Sequence, residues 1–288
     1  MTGAPLRGSA PPARARRAAR LAEQISRHLG VIGMTVKMEM VYRFNFLTSI
    51  LWSFLSMALV YYLWTAIFKS STSMAMPLQT LITYVCVGQA FSFARPGQRR
   101  TFMSIQEGIR SGDILMDLVR PTDYQALQFS GMAGSFLMDM LMVSIPSTLV
   151  GVVVFKVTLP ATAAAGAAFT VSLLGAYLLI FSVDFLLGLS AFWTTSVWGL
   201  GYLKMALMDV FAGGLIPLTL FPGWMQGVVM ALPFKGMAFT PLAIWSGILQ
   251  GEEAWKAVLL QYAWAAGLIL LSRLIWLRAR KRIEIQGG

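Results

Sequence analysis

Residues Phe46 to Phe68 form an unbroken run of 23 without one charged side chain. At 1.5 Å of rise per residue such a run crosses about 30 Å of hydrocarbon, and inside lipid its backbone groups have only one another to bond, so it must be helical. Tyr61, Tyr62 and Trp64 stand near its far end, where aromatic rings anchor at the membrane interface. Comparable segments follow at Leu78–Ala94, within Ala126–Phe155, within Ala161–Leu203, at Met205–Leu220 and at Ala254–Trp276. The chain is 57% hydrophobic and 12% charged, against roughly 25% charged in soluble domains. The fold class is an all-α polytopic membrane protein.

Charge placement decides the number of spans. Ala161 to Leu203 carries only Asp184 and is long enough for one helix with a connection, or for two helices with a tight turn. Two helices there would put the basic tail "RLIWLRARKR" outside. One helix gives six spans with both termini cytoplasmic, and leaves only Lys69, Lys156, Lys235 and Lys256 of the 23 Lys and Arg on the outer side, as the positive-inside rule requires. The expected organisation is a disordered basic tail over 1–29, turning helical from about Ala18, a six-span domain over 30–283 and a short tail over 284–288. The N-terminal tract has no apolar core of the kind a secretory signal carries directly after its charges. Met34, Val36, Met38 and Met40 alternate with polar residues as in a strand, but the stretch leads straight into a span and is expected to be an interfacial helix. Pro146 is expected to kink the third span. Residues 221–247, cut by Pro222, Pro233, Pro241 and several glycines, fit no unbroken helix and are expected to dip into the membrane and return under a cover of protein.

Several chemistries are excluded. One cysteine, Cys86, and one histidine, His28, build neither a disulfide, a zinc site nor a Cys–His nucleophile pair. The net charge of +11 lies in the ends and loops of a lipid-soluble chain, where it serves orientation and contact with membrane lipid rather than nucleic acid. No phosphate-binding loop is present, so the chain does not hold ATP in that manner, and no cofactor or metal is expected on it.

Two groups of residues stand out. The longest interior polar stretch is "EGIRSGDILMDLVRPTDY", Glu107 to Tyr124, with Arg95, Arg99, Arg100, Arg110 and Arg120 in or just before it. That density of basic residues places it on the cytoplasmic side. Ile105, Ile109, Leu115 and Leu118 approximate helical spacing, broken by Gly108 and Gly112 and ended by Pro121. A short half-apolar helix under a bundle suits docking of a cytoplasmic protein; a solvated loop with an incidental helical turn is the other reading. The second group is acidic. Asp139, Asp184 and Asp209 lie in or near spans, where an aspartate costs about 2.5–3.5 kcal/mol at a helix centre and must face protein or a water-filled path. They are candidates for a translocation pathway, or structural acids bonded to a neighbouring helix. Trp193 and Trp198 are candidates for lining a hydrophobic cavity, or interface anchors.

"YRFNFL" at Tyr42 to Leu47, "LWTAIF" at Leu63 to Phe68, "GIRSGDILMDLVRPTDY" in the first cytoplasmic loop and "FPGWMQ…LPF…TPLAIWSG" before the last span, in that order and spacing, resemble the permease subunits of ABC-2 type transporters, in a six-span bacterial exporter branch. The resemblance covers about residues 31–283. It implies that two permease halves pair in the plasma membrane, the second being a homologous chain or another copy of this one. Two copies of a cytosolic ABC ATPase, which bind the ATP and Mg, would dock beneath. Glu107, Ile109, Arg110, Asp113, Leu115 and Leu118 would then lie at the coupling contact, and the Pro-broken segment would form re-entrant helices. The implied function is ATP-driven export of a hydrophobic or amphipathic substrate, a drug, natural product or lipid, with no catalysis by this chain. The residues leave two other classes open: a secondary transporter coupled to ions or protons through the buried aspartates, and a membrane enzyme acting on lipid, for which no polar catalytic cluster is present.

Overall fold

The structure is a computed structural model and describes residues 13–70, 76–91, 100–119, 122–194 and 198–286. Among the described residues it is built from helices, with no strand. In chain order these are α1 (Ala13–Val41), α2 (Arg43–Ser70), α3 (Leu78–Phe91), α4 (Arg100–Ser111), α5 (Ile114–Val119), α6 (Tyr124–Asp139), α7 (Ile145–Phe155), α8 (Ala163–Leu189), α9 (Trp198–Phe211), α10 (Gly223–Ala231), α11 (Phe239–Trp245) and α12 (Gly251–Gln286). Four helical stretches are long and apolar enough to cross a membrane: Phe44–Ser70, Tyr124–Phe155, Ala163–Phe192 and Gly251–Lys281.

Helix α8 is the central element. It packs against α4, α11 and α12, and most of its length is buried. A single helix therefore runs through the stretch around Asp184 that left one or two spans open. Helix α2, at the periphery, is apolar round its whole circumference and exposes Leu47, Leu51, Trp52, Leu55, Leu59 and Leu63, the pattern of a helix that faces lipid. The third span has its break where Pro146 demands one. Proline lacks the N–H that would bond the Met142 carbonyl, and its ring crowds that turn. A π-helical turn at Met140–Ser144 widens the helix just before it and joins α6 to α7.

Three boundaries differ from expectation. Helix α1 already begins at Ala13, inside the expected tail, and continues to Val41, so residues 13–29 are helical. Its polar side, with His28, Thr35 and the buried Glu39, lies against α6, while Ile25, Leu29, Met34 and Met38 are exposed. The stretch at 34–40 is thus helical, with Thr35 and Glu39 turned to protein and the methionines and Lys37 turned outward. Gly108 does not interrupt α4; the corner falls at Gly112, whose φ of +81° a side chain would resist. The fifth expected span, Met205–Leu220, is displaced. Helix α9 starts at Trp198 and stops at Phe211, because Gly213 takes φ +73° and Pro217 follows. At 14 residues it reaches about 21 Å. Helix α3 also has 14 residues, Leu78–Phe91, and Ser92 to Ala94 of its expected span lie outside the described residues.

Residues 221–247 are broken as their prolines require: α10, a 3-10 turn at Pro233–Met237, then α11, buried from Phe239 to Ile244. Side chains satisfy carbonyls that the breaks release. Gln261 of α12 donates to Gly236 O, and also to Ser172 O inside α8, both at 2.7 Å. Tyr84 of α3 donates to Gly213 O, and Gln226 donates to Thr219 O and Phe221 O at 2.9 and 2.7 Å. Backbone groups released from helical pairing and shielded from water need such partners.

Candidate functional site

The Glu107–Tyr124 stretch folds as two short helices and a cap. Ser111 sits at the corner, its hydroxyl 2.9 Å from Glu107 O and 2.7 Å from an Asp113 carboxylate oxygen. Ile114 is buried and anchors α5, while Leu115, Met116, Leu118 and Val119 are exposed, Val119 at 83%. Helix α5 thus turns a row of apolar side chains away from its own chain. Glu107, Arg110 and Asp113 are exposed beside it and Ile109 is half-buried. Arg95, Arg99, Arg120 and Pro121 lie outside the described residues, as does the side chain of Arg100.

The end of the stretch has a role that the sequence reading missed. Asp123 caps α6 by accepting from Ala126 N at 3.0 Å, and its other oxygen pairs with Arg273 of α12. Tyr124 is buried and stacks on Trp276 of α12 at 4.7 Å, beside Phe185 of α8. The "TDY" sequence therefore fastens the start of the third span to the last. An Asp directly before an apolar run is a capping signal and could have been read as one.

Helix α4 is seated in two glycine notches. A Cβ on Gly188 of α8 would stand 2.8 Å from Ile105 Cβ, and one on Gly201 of α9 would stand 2.9 Å from the Phe102 ring. Both Ile105 and Phe102 are buried.

The acids divide. Asp184 is 1% exposed and pairs with Lys204 of α9, itself largely covered. Its second carboxylate oxygen has no hydrogen bond among the described residues. Lys204 is thus the partner of Asp184, twenty residues away, and not of Asp209 one turn along its own helix. Asp209 is exposed on α9 beside exposed Val210. Asp139 is half-buried at the entrance to the π-helical turn. Trp193 is 49% exposed, in edge contact with Phe192, and Trp198 is exposed against Tyr202. The structure does not gather these candidates into one cluster: they are spread over several helices and turns. Glu39, which no motif marked, is buried and accepts from Ser135 Oγ at 2.6 Å, and His28 Nδ1 lies 2.8 Å from Ser130 Oγ on the same seam.

The described residues thus form a helical membrane chain with a broken, protein-covered segment and a two-helix element between its second and third apolar helices. A family model described as "ABC-2 family transporter protein" matches residues 54–287, and the chain belongs to that family. It is an integral membrane protein and the membrane component of a transporter, and membership implies association with an ABC ATPase. No curated protein matches the chain.

Proposed function

We infer that this chain is one permease half of an ATP-driven exporter in a bacterial plasma membrane. It would have six spans with both termini cytoplasmic, and pair with a homologous chain or a second copy of itself. Two ATPase subunits dock at α4–α5 and hydrolyse ATP with Mg, and this chain catalyses nothing. The observation that carries the reading is the exposed apolar row Leu115, Met116, Leu118 and Val119 on a helix anchored by Ile114, flanked by exposed Glu107, Arg110 and Asp113. Four apolar side chains turned outward from an otherwise charged segment suit a protein partner. Helix α4, joined to this row across the Gly112 corner, is keyed into α8 and α9, so force on the row reaches membrane helices. The apolar composition of the spans suits a hydrophobic or amphipathic cargo moved by alternating access. An ion-coupled carrier is disfavoured at Asp184, whose charge Lys204 already balances.

Purification of tagged protein from its own cells in mild detergent, with mass spectrometry of what accompanies it, tests this. A stoichiometric ATPase is expected, with one or two kinds of permease chain. A chain that comes alone in several mild detergents would overturn the reading in favour of an ion-driven carrier.

A further inference from the structure

Three facts lie on one line. Ile105 fills the notch at Gly188, four residues after Asp184 on α8. Phe102 fills the notch at Gly201, three residues before Lys204 on α9. Asp184 and Lys204 are bonded to each other. In a helix, positions three and four apart share a face, one turn from each other. The ion pair therefore joins α8 to α9 one turn beyond the level at which Phe102 and Ile105, themselves three apart on α4, bridge the same two helices.

We propose that α4 and the Asp184–Lys204 pair are one mechanical unit, in which the seat of Phe102 and Ile105 sets the α8–α9 contact and so holds the pair closed, and displacement of α4 releases it. The notches leave no slack: a single added methyl at either glycine meets Ile105 or Phe102 below 3.0 Å. Such contacts transmit displacement, because packed interfaces shift between discrete arrangements rather than deform smoothly. The pair adds a threshold. While closed, each charge neutralises the other in a site with little water. When α9 moves away, both charges must find water or another partner, which makes the open arrangement distinct from the closed one. α8 is the central helix of the fold and α9 leads to the broken segment at Gly213, so release alters both. The assignment rests on reading α4–α5 as the ATPase contact only for what drives the motion, not for the link itself.

The test uses the full chain in nanodiscs with Cys86→Ala and spin labels at Ser104→Cys on α4 and Leu203→Cys on α9, both exposed positions. Gly188→Ala displaces α4 without touching the pair; Asp184→Asn with Lys204→Gln removes the pair without touching α4. Each is expected to shift the label distance to longer, broader values. The combined variant is expected to go no further than either, since parts of one unit are not additive. A wild-type distance in the Asn/Gln variant, or additive shifts, overturns the proposal. If the Asn/Gln variant does not fold, Asp184→Glu, one methylene longer, must move the same distance, and an unmoved distance is equally fatal. The driving force is read separately, with the co-purified ATPase present and ATP plus vanadate added. A nucleotide-dependent shift that the Gly188→Ala variant lacks supports the whole scheme. A link intact in the chain alone but indifferent to nucleotide upholds the unit and removes the ATPase as its driver.

Discussion

The Gln261 amide of α12 donates to the Gly236 carbonyl, in the middle of the broken segment, and to the Ser172 carbonyl of α8. Ser172 Oγ returns a hydrogen bond to Gln261 Oε1 at 2.9 Å. One buried side chain thus fastens the broken backbone to two long helices. A Cβ on Gly236 would meet Leu179 at 2.6 Å, so the turn is pressed against α8 with no space for a side chain. Gln261→Leu keeps the bulk but orphans the Gly236 carbonyl, at a cost of about 1–3 kcal/mol, while the Ser172 carbonyl keeps its helical partner inside α8. A clear fall in the thermal midpoint is expected in nanodiscs. Ser172→Ala, which removes only the returned bond, should cost about 1 kcal/mol.

The Asp184–Lys204 pair should behave asymmetrically. Asp184→Asn alone leaves a covered ammonium without its counter-charge, and losses of about 3–5 kcal/mol follow when one half of a buried pair is removed. Asp184→Leu with Lys204→Met should restore stability to near that of the parent, since well-packed apolar replacements of such pairs are often neutral. Thermal unfolding of the two variants side by side measures this.

Asp123 has two roles that separate by chemistry. Asp123→Asn retains a cap for α6 and loses the charge pair with Arg273, both partners being more than a third exposed; the expected cost is below about 1 kcal/mol and vanishes in high salt. Asp123→Ala also loses the cap, about 0.5–2 kcal/mol more. Unfolding at low and high ionic strength distinguishes the two.

Met116→Asp and Val119→Asp alter exposed side chains and should leave the unfolding midpoint within about 0.5 kcal/mol of the parent. Under the proposed function both strip the co-purifying ATPase from the complex. A pull-down that retains the ATPase in full would show that α5 is not its seat.

Gly134 of α6 sits under α1. A Cβ there would stand 2.8 Å from Thr35 Cβ and 2.9 Å from Ile32 O. Gly134→Ala should lift α1 from α6 at a cost of about 1–3 kcal/mol. Limited proteolysis within α1, faster in the variant, is the direct check, with Gly131→Ala, whose Cβ meets nothing, as the control.

Much of the architecture was legible in the chain. Long apolar runs become helices in lipid whatever they touch, so α2 and α12 follow from composition alone, whereas α8 as a single helix also needed the placement of the basic residues. Pro146 and the prolines of 221–247 announced their breaks, because a missing N–H is a local fact. What was not legible is angular. α2 is apolar on every side, so its sequence names no buried face. Lys204 stands five residues from Asp209 and twenty from Asp184, and only the approach of α9 to α8 selects the distant partner. Gln261 is one uncharged residue in an apolar run, and its use depends on where Gly236 arrives. The fifth span was misplaced because Gly213, at φ +73°, lies inside the expected Met205–Leu220 run and ends the helix there.

The sequence by itself determined that this chain is a bundle of membrane helices with a basic, partly helical segment between its second and third apolar runs. Hydrocarbon enforces internal hydrogen bonding on any long apolar stretch, and that constraint needs no knowledge of neighbours. The tertiary structure alone decided which polar groups meet: Asp184 with Lys204, Gln261 with Gly236, Asp123 with Arg273. Inside a membrane a polar side chain is held by whichever partner packing brings within reach, and that depends on helix rotation and crossing, which a linear pattern of apolar residues does not encode.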